Sequence, residues 1–507
     1  MDPAELTPNG PGSLAGLTVG RLEAGLASEV AAWLLAQRGA SVLQATPASS
    51  AFAVADAKTV DATDCAQAEL ILTADHTGRG HAGGGAGAVL RPAPIICPDA
   101  GIPAGTLEYV TGTALATAAL AAWRCRTPIA VSELGVAIQV FLPEVMAVSY
   151  GSPWWPVPPD PVPAPGGGWL STDLGAAGDD ELYAGLLATL PADADAATIA
   201  TAAQEWRLAV CAYRPRVVTE PEDPILDRQV LSTYEGVVRT PAVATRAPLG
   251  DVRICDLTAM WAGPLATWLL ARLGAGVYKV EPAVRLDGTR ALSGGGIYPG
   301  GIQRRPGEDS ALFQALNHGK VRLPLDLRVP LQRDQFLARA HRSHVVIDSF
   351  TPRVMPNFGL TPPVLNPGMA RPMVVSMPAF GPGPHRDWVA FGTGVHALSG
   401  LGDRGDGTFA APSVAYPDVV AGFTAAFAIV SALVGRDRGR PPPRIEVPLS
   451  QAVQPLLAIP PAGGMRPQEA GGVLYDAGLA AHAFAPLQVA GMQLMHPKGP
   501  FSLLPAR

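Results

Sequence analysis

Asp418 is the residue of this sequence best placed to do chemistry. It follows Ala415-Tyr416-Pro417 and opens onto Val419–Gly435, a 17-residue run without a charge. A carboxylate there reads first as an N-cap, accepting the free N–H groups of the opening helical turn. The same place keeps it ionised, because the helix dipole and those N–H groups favour the anion. Exposed in a cleft, such a group is a nucleophile for a thioester carbonyl, and capping and catalysis are compatible. Other strings carry less. Gly78-Arg79-Gly80-His81-Ala82-Gly83 matches G-x-G-x-x-G after a β-like run at 69–73. Gly84-Gly85-Ala86-Gly87 follows where a dinucleotide site needs a helix to open, so it reads as a loop. His341 and His344 have the spacing of two ligands on a helix. With no third ligand nearby they read as a helix end, and no metal is expected.

The elements that must position these residues come from a long, apolar chain. Of 507 residues 48% are hydrophobic and 16% charged, which excludes a disordered chain. The length fits three domains or two large ones. Net charge is −6 with only four lysines (Lys58, Lys279, Lys320, Lys498), so no basic surplus exists for nucleic acid. The five cysteines, Cys65, Cys97, Cys125, Cys211 and Cys255, lie at least 28 residues apart and show no zinc spacing. A reducing cytoplasm is the expected compartment. The first 16 residues lack the basic and apolar regions of a signal peptide. The run 419–435 is short for a membrane span and rich in Ala and Gly; a buried helix, and no membrane partner, is expected.

The order of features repeats. WLLAQRGASV at 33–42 and WLLARLGAGV at 268–277 agree at seven of ten positions. The run Val110–Trp123 aligns without gaps on Val420–Leu433, and short apolar segments follow both (129–131, 445–447). An internal duplication is the reading. The second copy alternates strands with helices: strands at 252–257, 277–281, 344–348 and 372–377, with a helix from Gly263-Pro264 to near Gly274, which means parallel βαβ units. The division expected is a first unit over 1–150, a Pro/Gly linker over 151–168, a small helical segment over 169–213, a connector over 214–250, a second unit over 251–458 and an extension over 459–507.

The second copy resembles the family III CoA-transferases (CaiB/BaiF), the group of formyl-CoA transferase, carnitine-CoA transferase and α-methylacyl-CoA racemase. The likeness starts at Val252 with V-R-I-C-D-L-T-x-x-x-A-G-P-x-A-T-x-L-L-A-x-L-G-A-x-V-x-K-V-E, ending at Glu281. It continues at 287–290, 316–320, 325–330, 345–352, 376–384, 397–400 and Tyr416-Pro417-Asp418-Val419-Val420-Ala421-Gly422, covering about 250–455. The resemblance implies an α/β, Rossmann-like fold, with two related units fused in one chain and a small helical segment between them. Family members form interlocked two-chain rings, so a pseudo-dimer closed within one chain is expected, as a monomer or a homodimer. The resemblance implies transfer of CoA from an acyl-CoA to a carboxylic acid, with Asp418 as nucleophile, through a mixed anhydride and an aspartyl-CoA thioester. CoA enters as substrate, with no permanently bound cofactor. Carried over by position, Met260, Trp261, Ser349, Phe350 and Arg353 are CoA contacts, and Lys320, Arg285 and Arg290 are candidates for its phosphates. Two other readings stand beside this one: a racemase, isomerase or lyase acting on an acyl-CoA, and a catalytically degenerate acyl-CoA-binding or structural protein. The racemases' catalytic His aligns with Phe391, which disfavours racemisation. In the first copy Glu108 aligns with Asp418 without the Tyr-Pro, so one live site per chain is expected.

Overall fold

The computed structural model describes residues 14, 17–22, 25–46, 50–54, 56–60, 70–74, 86–91, 102–103, 105–150, 152, 156–175, 178–227, 247–291, 295–303, 305, 307–367, 372–434, 444–459, 484–489 and 492–503. The string at 78–83, Cys65 and Cys97 lie outside them.

The first unit contains β1 (Thr18–Arg21), α1 (Leu26–Gln37), β2 (Ser41–Gln44), β3 (Lys58–Thr59), β4 (Leu70–Ala74), β5 (Ala86–Arg91), α2 (Thr106–Cys125), β6 (Ile129–Ser132), α3 (Glu133–Val140) and α4 (Leu142–Ser149). A module follows with β7 (Val162–Pro163), β8 (Trp169–Thr172), α5 (Asp179–Leu187), α6 (Ala196–Glu205) and β9 (Val210–Ala212). Then come β10 (Leu226–Asp227), β11 (Arg253–Leu257), α7 (Ala262–Arg272), β12 (Gly276–Val280), α8 (Ala311–Asn317), β13 (Val321–Leu323), α9 (Pro330–Ala340), β14 (Val345–Asp348), β15 (Met373–Ser376), α10 (Gly392–Leu398), α11 (Tyr416–Val434), β16 (Arg444–Glu446) and α12 (Leu449–Val453). A hairpin of β17 (Phe484–Val489) and β18 (Met492–Pro497), then β19 (Phe501–Leu503), lie furthest along the chain.

The two large sheets have one strand order. The first runs β3-β2-β1-β4-β5-β6-β19 and the second β13-β12-β11-β14-β15-β16-β10. In each, six parallel strands end in an antiparallel seventh. The seventh strands are crossed: β19, which follows the second unit, closes the first sheet, and β10, which follows the first unit and the module, closes the second. Neither connector nor extension is therefore plain coil. The two closing strands, β10 and β19, are two and three residues long, too short to leave a period in the sequence.

Helix packing repeats as well. α11 is apolar on every side and all its residues are buried, as a helix enclosed by other elements must be. It packs on α7 and, across the units, on α2, which itself packs on α1. A Cβ on Gly422 would meet the carbonyl of Ala262 at 2.8 Å and Leu265; a Cβ on Gly112 would meet the carbonyl of Ala27 at 2.6 Å and Val30. The alignment that pairs Trp33 with Trp268 also pairs Ala27 with Ala262 and Val30 with Leu265. One glycine in each long helix thus lets the same neighbour approach, and a single hydrophobic core runs through both units.

The small segment is mixed rather than helical. β7, β8 and β9 form an antiparallel sheet, with α5 and α6 packed on it around Leu170, Ile199, Ala200 and Val210. The runs Trp169–Thr172 and Val210–Ala212 are again too short to show alternation. Gln204 on α6 ties the module to the second unit, donating to and accepting from the backbone of Val389 at 2.9 and 2.7 Å.

Candidate active site

In open parallel sheets a ligand crevice lies beyond the C-terminal ends of the strands where their order reverses. In the second sheet that point falls between β11 and β14. The loops leaving these strands carry Met260 and Trp261 on one side, Ser349 and Phe350 on the other. Ser349 Oγ joins them, accepting the N–H of Ala259 at 3.1 Å. Met260 has a left-handed backbone (φ 66°), and its N–H donates to Asp287 Oδ1 at 3.1 Å. Lys279 grips the same loop, donating to Thr258 O and Asp287 Oδ2, both at 2.9 Å. Trp261 is buried, and its indole Nε1 has no hydrogen-bond partner among the described residues. Phe350 is half-buried against the cluster of Leu257, Phe336 and Met355.

Asp418 stands at the mouth of the neighbouring helix, one turn before Gly422. It is the third residue of α11, inside the first turn rather than at the N-cap expected from sequence, because the helix already starts at Tyr416. Its Oδ2 accepts the N–H of Gly392, the first residue of α10, at 3.0 Å. Any Cβ on Gly392 would collide with that oxygen. Burial is the main force that pushes the Asp418 carboxyl up to about 7; the Gly392 N–H opposes it, and the charge of Asp173 adds to it. A carboxylate so placed is partly ionised at neutral pH and unusually basic. Asp173, at the end of β8, was not singled out by any motif. Its Oδ2 accepts the hydroxyl of Thr393 at 2.6 Å, and burial raises its proton affinity too.

His396 is close in sequence but faces elsewhere. It is fully buried, its Nδ1 bonded to the Tyr416 hydroxyl and its Nε2 to the Ala410 carbonyl, both at 2.9 Å. Burial pushes it down to about 4, so it is neutral and has no free nitrogen to offer.

The cations divide into two kinds. Lys320 is wholly buried and spends its protons on Asp256 Oδ2 at 3.1 Å, Pro264 O at 2.9 Å and Asn317 Oδ1 at 2.9 Å. Burial pushes it down to about 8. Arg290 pairs with Glu281 at 2.8 Å and with Asp309, and lies 3.6 Å over the Phe313 ring. Both expected phosphate ligands are thus corrected to internal cations: each answers a buried carboxylate that would otherwise be uncompensated. Arg285 and Arg353 are exposed on the loops of the crevice, and Arg353 has Asp387 at 3.9 Å. Glu108 is the third residue of α2, as Asp418 is of α11, but it is exposed. His341 ends α9 and meets the Val364 carbonyl; His344 accepts the N–H of Arg253. Among the described residues no three His, Cys, Asp or Glu side chains converge as metal ligands would.

Residues 249–484, which hold every group just described except Asp173 and Glu108, match the model of CoA-transferase family III. This segment belongs to CoA-transferase family III. Its relatives include the formyl-CoA:oxalate CoA-transferase of Afipia carboxidovorans, 33% identical over 215 residues, covering 42% of this chain and 48% of that protein. That of Rhodopseudomonas palustris (strain HaA2) is 36% identical over 139 residues, 27% of this chain and 31% of that protein. The chain thus spans less than half the length of these curated relatives. A solved CaiB/BaiF family protein from Brucella suis is 26% identical, over 42% of this chain and 56% of its own, with a TM-score of 0.36. The strand order of the second sheet is Rossmann-like, in keeping with the α/β fold that the resemblance implied.

Proposed function

We propose that this protein transfers CoA from an acyl-CoA thioester to a carboxylic acid, with Asp418 as the nucleophile. The observation that carries the reading is the Gly392 N–H on Asp418 Oδ2 at 3.0 Å, inside the family-matching segment and one turn before the Gly422 that meets Ala262 at the start of α7. One oxygen is fixed by that bond, which orients the carboxylate for attack.

The steps balance around that group. A carboxylate oxygen adds to the thioester carbonyl, CoA thiolate leaves, and an aspartyl–acyl anhydride remains. The thiolate attacks the aspartyl carbonyl and releases the acyl carboxylate, leaving an aspartyl-CoA thioester. The acceptor acid attacks that thioester in turn, and the returning thiolate takes the acceptor's acyl group and frees Asp418. Each tetrahedral oxyanion needs a donor, and the unpartnered Trp261 N–H at the crevice is the candidate. Met260, Ser349, Phe350, Arg285 and Arg353 frame the CoA site in this reading, the two arginines facing its phosphates. The repeated strand order and the paired Gly112 and Gly422 support a duplication in which the buried Asp418 is the working copy and the exposed Glu108 is not.

Racemisation needs two acid/base groups flanking one carbon. Phe391 cannot be one, and His396 has both nitrogens engaged. The test is incubation with acyl-CoAs, trapping with hydroxylamine or borohydride, and peptide mass spectrometry, beside Asp418→Ala. Modification of the Asp418 peptide, lost with exchange in the variant, is expected. Exchange that survives Asp418→Ala overturns the nucleophile, and CoA binding without any turnover favours a degenerate binding protein.

A further inference from the structure

Asp173 lies outside the segment that matches the family, in the module between the two sheets. It nevertheless reaches the same helix end as Asp418. Gly392 and Thr393 are consecutive at the start of α10: the N–H of the first meets Asp418 at 3.0 Å, and the hydroxyl of the second meets Asp173 at 2.6 Å. Asp418 is buried and Asp173 half-buried, and neither forms an ion pair among the described residues. Strand β8 is itself fixed on the second unit, because β8 and β9 pack on α10 and Gly394 comes so close to Cys211 that a Cβ would stand 3.0 Å from its Sγ.

We propose that Asp173 is a positioning residue for Asp418, holding α10 through Thr393 so that the Gly392 N–H meets the nucleophile, and setting its own negative charge beside that carboxylate. The inference rests on Asp418 being the nucleophile. Two neighbouring carboxylates withdrawn from water without a cation resist being ionised together, so they titrate as a pair. The other titratable groups on the elements packed here do not take part in that exchange. Burial pushes Cys211 on β9 up to about 12 and Tyr416 on α11 well above its usual range, and His396 on α10 is down at about 4. Tyr213 is raised, with Asp160 behind it, and Arg214 and Arg216 lie beyond, acting on Cys211 and Tyr416 respectively. Along α11, the charged residues of α7 and α2 are Arg272 in the last turn of α7, and Glu108 and Arg124 on α2. α12 carries none. The forces that set Asp418 are burial, the Gly392 N–H and Asp173. A family-matching unit is in this way completed by a residue from a segment the family model does not cover.

Two measurements on the full chain test this. The first is the ¹³C-carboxyl titration of Asp418, assigned by its loss in Asp418→Asn, which needs no substrate. The second is the pH–rate profile of CoA transfer. Asp173→Asn keeps an oxygen for Thr393 and removes the charge. It is expected to lower the Asp418 midpoint by about one pH unit and to move the acidic limb of the profile with it. Thr393→Val keeps the charge and is expected to cut kcat while KM for the thioester and the raised midpoint persist. Asp173→Ser replaces the Asn variant if the latter does not fold. A midpoint unmoved by loss of the Asp173 charge overturns the proposal. A midpoint that moves in a protein transferring no CoA keeps the pairing and overturns the nucleophile reading alone.

Discussion

Gly392 gives its N–H to Asp418 Oδ2 across 26 residues of sequence, and no side chain fits between them. The glycine is demanded by distance here and not by a left-handed backbone. Gly392→Ala is expected to displace the carboxylate, cutting exchange about 100-fold. CoA affinity, measured by calorimetry, is expected to change little, because the substitution lies at the nucleophile and away from the crevice loops. Exchange at the wild-type rate would remove the Gly392 contact from the mechanism.

Asp418 also makes stability depend on pH. Its folded-state pKa of about 7 lies above the ordinary 3.8, so between these values the unfolded chain is ionised while the folded one holds its proton. The contribution of Asp418 to stability is fullest below about pH 4 and is lost as pH rises to about 7. Asp418→Asn stays neutral and escapes the loss. It is expected to be inactive yet more stable than the wild type at pH 8, by on the order of 3 kcal/mol, with the gap closing toward pH 4. Denaturant melts at both pH values read the difference.

Lys320 and Arg353 are expected to separate cleanly. Lys320→Met leaves Asp256 without its cation in the core and is expected to cost about 3–5 kcal/mol of stability. Arg353→Gln changes an exposed side chain and is expected to leave melting unchanged while weakening CoA relative to dephospho-CoA about tenfold. Competition binding with both nucleotides checks it. An equal loss for the two would move Arg353 away from the 3′-phosphate.

Trp261→Phe deletes the indole N–H and keeps a smaller aromatic ring. An unpartnered buried donor costs about 1–3 kcal/mol, which offsets the cavity that the smaller ring leaves, so the variant is expected to be close to the wild type in stability. Its kcat is expected to fall about 10–100-fold with KM little altered. A kcat unchanged would leave the oxyanion to other donors.

Much of the fold was legible because it repeats. Trp33 and Trp268, and the helices beginning at Thr106 and Tyr416, announce two similar units, and β11, β12, β14 and β15 lie within a residue or two of the strands read from sequence. Asp418 was legible through its place before an apolar run. Lys320 and Arg290 misled because a cation that neutralises a buried carboxylate looks, in one dimension, like a cation that faces solvent. Asp173 left no trace: Thr172-Asp173-Leu174 has no motif, and its meaning comes from a partner 220 residues away. The crossed edge strands were equally silent, since two or three residues cannot show alternation.

Those crossed strands bear on how the chain is made. The first sheet cannot cover its β6 edge until residues 501–503 have left the ribosome, although β6 itself was synthesised some 370 residues earlier. Until then that edge is an open ladder of amide and carbonyl groups, of the kind that pairs with other chains. At elongation speeds of about 5–20 residues per second the exposure lasts on the order of half a minute. Chaperone occupancy of nascent chains, profiled along the message, should therefore stay high beyond the first unit and fall only when the final strand emerges.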